Sequence, residues 1–375
     1  MDTVKISLCM IVKNEEDCIA RCLSSVQDAV DEIIVVDTGS SDRTIDICLS
    51  YGAQVLTYEW NDHFAEARNC GLKAATGDWI LWMDADEELD KQDASQLKQL
   101  LAKQEQPICW IHLVNFIGDS PNENDAFHIA HSRIFRNHIG FTFKNAIHEM
   151  LNLDEVLPHF TDTEQQTLPI KMYHYGYMNE CVEVKKKSER NIRLLEIEMQ
   201  KEDHHPWIKY HLATEYYRMK DYVKAFEYLN LAIVHFLQRE TAPPSLLYKL
   251  KYSILITLGS VEGAWQGIDR AIQMYPDYVD LHFYKGVIYF LKEWYVEAIS
   301  IFEHCIELGE QNIKHLTLKG VGSFHPWYYI GLCQEQLGHP ELAAQAFEQA
   351  TQIFPDYTPA LERLELKVGS HHAVE

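Results

Sequence analysis

Residues 79 to 83, Trp-Ile-Leu-Trp-Met, make an unbroken apolar run that stops at the acids Asp84, Asp86, Glu87 and Glu88. With the turn residues Thr76, Gly77 and Asp78 before it, so short a run predicts a strand buried on both faces. Acids at the carboxyl end of such a strand sit where open α/β sheets bind their ligands. Asp84 and Asp86 are two apart, so an extended backbone would aim both side chains the same way. Two hard oxygen ligands suit Mg²⁺ or Mn²⁺, and either ion would in turn hold a diphosphate. An isolated Asp-x-Asp is more often a solvated turn capping the next helix, so the surroundings decide.

The surroundings alternate. Residues 5 to 12 predict a first buried strand, and Ile19, Leu23 and Val26 fall at helical spacing after it. A second strand, 32 to 36, is stopped by Asp37-Thr38-Gly39-Ser40-Ser41-Asp42, which supplies a tight turn and N-caps for a helix through Ile45, Cys48 and Leu49. Ala53 to Tyr58 give a third strand, and a helix holding Ala65, Arg68, Asn69 and Leu72 leads to the run at 79. Strands and helices joined by short links predict a doubly wound, mostly parallel sheet over the first ~110 residues. From 108 to 177 shorter β-like runs follow (108–117, 132–136, 141–151, 169–175), read as the last strands of the sheet plus an acceptor-side extension. A helical connector is expected from about 178, with Lys185, Lys186 and Lys187, then Ile192, Leu195, Ile197 and Met199.

After residue 204 the chain repeats itself. Ala225, Leu229 and Ala232 recur as Ala264, Ile268 and Ala271, then as Ala298, Phe302 and Cys305, and last as Ala343, Phe347 and Ala350. Each triplet resembles the small and large positions on the second helix of a tetratricopeptide repeat. Gly286 with Tyr289, and Trp327 with Gly331, agree in part with the first helix, and Pro276 and Pro355 fall where that repeat ends. A period of about 34 residues, stretched by insertions, means a helix-pair solenoid. The expected division is therefore residues 1–178 for the α/β domain, 179–204 for the connector and 205–375 for about four repeats.

Composition narrows the partners. With 56 acids against 33 bases the net charge is −23, which argues against nucleic acid or an anionic membrane surface, since either needs a basic face. It also makes a metal more necessary for a phosphate ligand. The nine cysteines are odd in number and form no Cys-x-x-Cys pair, so a reducing cytoplasm fits best. No stretch approaches the ~20 apolar residues of a membrane span, and the first residues lack the apolar core of a signal peptide. Neither a Gly-x-Gly-x-x-Gly nor a Gly-Lys-Ser/Thr loop follows the first strand, so neutralising a phosphate would fall to a metal and Arg68.

On these motifs the chain resembles the family 2 glycosyltransferases of GT-A fold. The matching pieces are Met10-Ile-Val-Lys-Asn-Glu15, Ile34-Val-Val-Asp37-Thr-Gly-Ser-Ser-Asp42, Ala67-Arg68-Asn69-Cys-Gly71 and Met83-Asp84-Ala-Asp86. The resemblance implies that Glu15 and Asp37 contact a uridine, with Val12 beside them, and that Arg68 lies near base or diphosphate. It puts Asp84 and Ala85 on the ribose side and Asp86 on a Mn²⁺ or Mg²⁺ ion. Thr38 departs from the pattern, because many members carry a second Asp there. Ser132-Arg-Ile-Phe135-Arg136, Ala146-Ile-His148-Glu149 and Tyr173-His174-Tyr-Gly176-Tyr177 are similar to a bacterial subgroup that joins this domain to tetratricopeptide repeats. That subgroup includes enzymes that glucosylate cysteine or serine of bacteriocin peptides.

What the resemblance implies is an inverting transfer from a UDP-sugar, glucose or a related hexose, to an acceptor. A carboxylate takes the acceptor proton and a metal screens the departing diphosphate. Glu149 is the candidate base and His148 its competitor; Glu149 could instead orient a histidine or pair with Arg136. His174 is a candidate metal ligand, since neutral imidazole suits Mn²⁺, with a structural role as the rival. Trp60, Asp62, His63 and Phe64 are open between lining a sugar pocket and packing. A concave solenoid commonly holds a peptide, so a peptide or protein acceptor is expected there, and homodimerisation is the competing role. Transfer onto a cell-envelope glycan or lipid carrier, and a non-catalytic scaffold, are the other readings.

Overall fold

The chain is described by a computed structural model covering residues 4–160, 165–178 and 187–371, with side chains of the last helix as far as residue 366. Three strand–helix pairs and a fourth strand open it: β1 (Ile6–Val12), α1 (Ile19–Val26), β2 (Glu32–Asp37), α2 (Thr44–Ser50), β3 (Gln54–Thr57), α3 (Phe64–Ala74) and then β4 (Trp79–Trp82). The strands lie side by side as β3-β2-β1-β4, all parallel. β4 is buried at every position, as an apolar run without polar alternation requires. Leu81 and Trp79 pack on one side with α1, while Ile80 and Trp82 pack on the other.

The chain then departs from the expected pattern. It does not stay extended through Asp84 and Asp86: the Glu87 N–H donates to the Asp84 carbonyl at 3.1 Å, closing a turn. The chain doubles back as β5 (Glu87–Leu89). β6 (Ile108–Phe116), β7 (Ala126–Arg136) and β10 (Thr167–His174) continue the main sheet, in the order β4-β7-β6-β10-β5. β7 is antiparallel to β4, β10 parallel to β6, and β5 antiparallel to β10 with His174 opposite Glu87. The sheet is therefore mixed, with its parallel part first. The expected run 141–151 is two short strands, β8 (Phe143–Lys144) and β9 (Met150–Leu151), paired in a ribbon of their own. Between them Asn145 (φ 73°) and His148 (φ 49°) take left-handed backbone.

The start of the expected connector, 179–186, lies outside the described residues; from there the chain is the helix Lys187–Met199. The chain groups into two units, one running to Pro121 and resuming over Ile129–His204, the other made of Asn122–His128 and His205 onward. Residues 122–128 join the second unit because Phe127 and His128 pair with β11 (Thr317–Leu318), Lys319 N–H donates to Ala126 O at 2.9 Å, and Lys249 sits over the Phe127 ring.

The second unit contains four helix pairs: 207–218 with 222–238, 245–257 with 261–274, 279–291 with 295–308, and 324–336 with 340–353. A last helix, Thr358–His371, follows. All twelve triplet residues named from the sequence are buried. A Cβ on Gly286 would stand 2.5 Å from Phe302, and one on Gly331 2.4 Å from Phe347; the missing side chain lets each second-helix ring approach its partner. Each first helix also ends the same way, on a left-handed residue: Lys220, Gly259, Glu293 and Gly338. In each, the following N–H reaches back to the carbonyl five residues earlier, as Asp221 does to Tyr216 at 2.9 Å and Ser260 to Leu255 at 2.8 Å. This is the closed C-terminal turn that satisfies the orphan carbonyls of a helix. Among the described residues no helix is long and apolar enough to cross a membrane.

Candidate active site

The carboxyl ends of β1, β2 and β4 bring the expected residues to one edge of the parallel sheet. Val12 ends β1 opposite Asp37, which ends β2. The Val12 carbonyl accepts from the Thr38 N–H at 3.0 Å and from its hydroxyl at 3.1 Å. Thr38, where the resembling family often has an acid, thus ties the two strand ends together. The Asp37 carboxylate is buried and accepts the N–H groups of Gly39 and Ser40 at 3.0 and 3.1 Å, shaping the loop beyond it. Glu15 anchors the loop after β1: its N–H donates to Thr44 Oγ1 at 2.7 Å, and its carboxylate accepts from the Cys18 thiol at 3.2 Å.

Behind this edge lies a buried charge cluster. Arg68, on α3, donates from Nη2 to Asp84 at 2.6 Å and from Nε to Glu149. Arg133, on β7, pairs with the fully buried Glu87 and reaches Asp84 Oδ2 at 3.8 Å. Trp82 sits between the two guanidinium groups, with carbon Cζ of Arg68 4.6 Å and that of Arg133 3.8 Å from its ring, an arrangement favoured by the negative ring face. Burial works against the Arg68 charge, and Asp84 and Glu149 more than offset it. Burial likewise works against the Asp84 anion, but Arg68 and Arg133 hold its carboxyl well below the usual range. Asp84 is therefore a partner of arginines, and Ala85 beside it is buried.

Asp86 faces elsewhere. Because the chain turns at 84–87, its carboxylate meets the end of β10: Asp86 Oδ1 lies 3.7 Å from His174 Nε2. The expectation of two acids pointing the same way from an extended strand does not hold; the turn separates them. His174 is oriented by Asn115 on the neighbouring β6, Nδ1 to Oδ1 at 2.9 Å. Burial holds the His174 imidazole below its ordinary range, against the pull of Asp86 and Asp84. A neutral ring with its second nitrogen so fixed is the form in which histidine binds metals. Gly176 completes the place: a Cβ there would stand 2.5 Å from both Asp86 Oδ2 and His174 Nε2, so only glycine leaves that side of the pair open. One carboxylate oxygen and one imidazole nitrogen fit Mn²⁺ or Mg²⁺. Among the described residues no set of three His, Cys, Asp or Glu side chains is arranged to hold an ion. The remaining positions would belong to ligand oxygens and water, as is usual for a cation bound with a diphosphate.

His148 and Glu149 lie in the loop between β8 and β9. Glu149 is held by Arg68, and the alternative pairing with Arg136 is not found: Arg136 donates to Gln104 O and stacks on Trp79. The 60–64 group packs. Trp60 and Phe64 meet edge to face at 4.7 Å, the Trp60 indole N–H donates to Asp62, and His63 caps α3 by accepting the Glu66 N–H. Sequence reasoning gave no role to Arg133, Asn115 or Gly176. A lone arginine just before the apolar Ile134-Phe135 on a buried strand was the available sign of Arg133, while Asn115 carried none.

Residues 7–161 match the family model described as "Glycosyl transferase family 2", and residues 325–357 match "Tetratricopeptide repeat". A TPR repeat-containing protein of Synechococcus elongatus is 38% identical over 197 residues, covering 51% of this chain and 47% of that protein. The SPbeta prophage-derived glycosyltransferase SunS of Bacillus subtilis is 27% identical over 301 residues, 76% of this chain and 67% of that one. An uncharacterized glycosyltransferase of Rickettsia bellii is 39% identical over 104 residues, 28% of this chain and 35% of its own. The chain thus spans about half the length of the Synechococcus relative and about two thirds of the Bacillus one.

Proposed function

Because residues 7–161 form a family 2 glycosyltransferase domain, we propose that the chain is an inverting, metal-dependent transferase moving a hexose from a UDP-sugar to a peptide or protein. The observation that carries this reading is the pair Asp86–His174, 3.7 Å apart, with the bare α-carbon of Gly176 facing it. A divalent ion there would screen the charge of the departing diphosphate. In this reading Val12, Glu15 and Asp37 flank the uridine, and Arg68, Asp84 and Ala85 hold the nucleotide's ribose and diphosphate side. Glu149 takes the acceptor proton, with His148 as the other candidate. The Arg68 contact steers the Glu149 carboxylate.

The peptide acceptor rests on the repeats, whose helix pairs are of the kind that hold extended chains. The eight described cysteines are all free thiols, which supports the cytoplasm as the proposed compartment. UDP release from UDP-glucose and other UDP-hexoses, with Mn²⁺ and after chelation, tests the reading. Turnover that disappears on chelation is expected. Absence of both turnover and metal-dependent nucleotide binding would leave a repeat scaffold instead. Faster release with a glycan than with peptides would favour the envelope acceptor.

A further inference from the structure

The helix Lys187–Met199 touches the first unit's site at three points along its length. Near its end the buried Glu198 accepts the N–H of Ala146 at 3.2 Å, three residues before Glu149. In its middle Arg193 grips Asp62 with two N–H groups at 2.9 and 3.0 Å. At its beginning Lys187 Nζ lies 3.4 Å from Asp86 Oδ2, on the carboxylate whose other oxygen faces His174. The first two contacts hold the helix in register, so the third is a placed cation rather than a wandering surface lysine.

We propose that Lys187 is a donor-binding residue: it neutralises Asp86 before the donor arrives and moves to the diphosphate when a divalent ion takes Asp86. This rests on the donor-site reading above. Arg68 and Arg133 are themselves buried and tied to Asp84, Glu149 and the fully buried Glu87, so neither can leave without breaking a buried ion pair. Lys187 differs. Its side chain is 24% exposed, against 6% for Arg68 and 5% for Arg133, and its contact with Asp86 is long at 3.4 Å. An ammonium on a four-carbon stem can turn through several ångströms at little cost. A doubly charged ion taken up by Asp86 and His174 would repel it, and the diphosphate that the ion brings offers a compensating charge. There the ammonium would stabilise the anion that gains the electron pair of the broken glycosidic bond, an electrostatic contribution made where charge develops.

The test needs no turnover. Mn²⁺ affinity of the full chain without nucleotide is read from the electron paramagnetic resonance of the unbound ion, and UDP affinity at saturating Mn²⁺ by calorimetry. Lys187→Met is expected to bind Mn²⁺ roughly threefold tighter, because a competitor worth a partly exposed ion pair is gone. It should bind UDP roughly tenfold more weakly, the loss of one charge-assisted contact. Lys187→Arg should keep most of the UDP affinity. A Met variant with unchanged or weaker Mn²⁺ binding, or with unchanged UDP binding, overturns the proposal while leaving the donor site standing. Wild-type protein that binds neither Mn²⁺ nor UDP removes the donor-site reading itself.

Discussion

The repeats and the acid tip of β4 solve the same problem, burying side chains without strain, by opposite means. In the repeats each Ala-large-small triplet lies within eight residues on one helix, and its partner is the helix just before it, joined by one left-handed turn. At the tip the ion pairs are not local. Arg68 reaches Asp84 16 residues away and Glu149 81 away, Arg133 reaches Glu87 across 46, and Lys187 reaches Asp86 across 101. Short-range packing tolerates approximation, because a methyl group more or less shifts a helix slightly. A buried charge tolerates none, because an unmatched carboxylate has no water to turn to.

That contrast can be broken most severely at Arg68. Arg68→Met leaves Asp84 and Glu149 without their shared cation and should lower unfolding free energy by about 3–5 kcal/mol, measured by urea denaturation. A loss under about 1 kcal/mol would mean that the long-range cluster matters no more than a surface pair. The matching disturbance in the repeats is smaller. Gly331→Ala forces a methyl against Phe347, where the space is 2.4 Å, and should cost about 1–3 kcal/mol as overpacking. Gly286→Ala should cost the same within error, since Phe302 stands equally close; unequal losses would show that the repeats are less alike than they look.

Acid titration sharpens the comparison at the tip. The Asp84 carboxyl is held below its unfolded range by its arginines, against burial. Its stabilisation is therefore complete above about pH 4, the unfolded value, and fades as pH falls toward the lower folded one. The Asp84 side chain is 35% exposed, so solvent screening leaves an effect of about 1 kcal/mol. Asp84→Asn should reduce the loss of unfolding free energy between pH 4 and pH 2 by roughly that amount; identical acid slopes in the two proteins would assign the acid sensitivity elsewhere. The smallest change is favourable. Lys220 and Glu293 hold left-handed backbone that Gly259 and Gly338 hold freely, so Lys220→Gly and Glu293→Gly should each raise stability by about 1 kcal/mol. A calorimetric midpoint that falls instead would show that those side chains are needed where they are.

The same contrast explains what the sequence disclosed. The triplets, the Gly286 and Gly331 positions and the β-α alternation up to Trp82 follow from short apolar runs, helical spacing and a repeat of about 34 residues, all of which can be read along the chain. The turn at Asp84–Glu87 was hidden because acids after a buried strand look alike whether the chain continues or reverses. Only pairing with β10, far along the sequence, decides it. Asp86 and His174 were both singled out, but their meeting, and the open side left by Gly176, depend on that reversal. Arg133 and Asn115 are ordinary letters in apolar strands until the sheet order sets them beside Glu87 and His174. A pattern can announce a helix; it cannot announce which distant acid a buried arginine will meet.

Residues 122–128 carry a practical lesson for anyone dividing this protein. Their partners Thr317, Leu318, Lys319 and Lys249 all come from beyond residue 204. A fragment ending at His204 would therefore carry the first residues of β7 without their β11 partner, and one beginning at His205 would lose the edge that Thr317 and Leu318 bind. The halves are interleaved in the gene rather than laid end to end, so isolating either calls for a graft, not a pair of scissors.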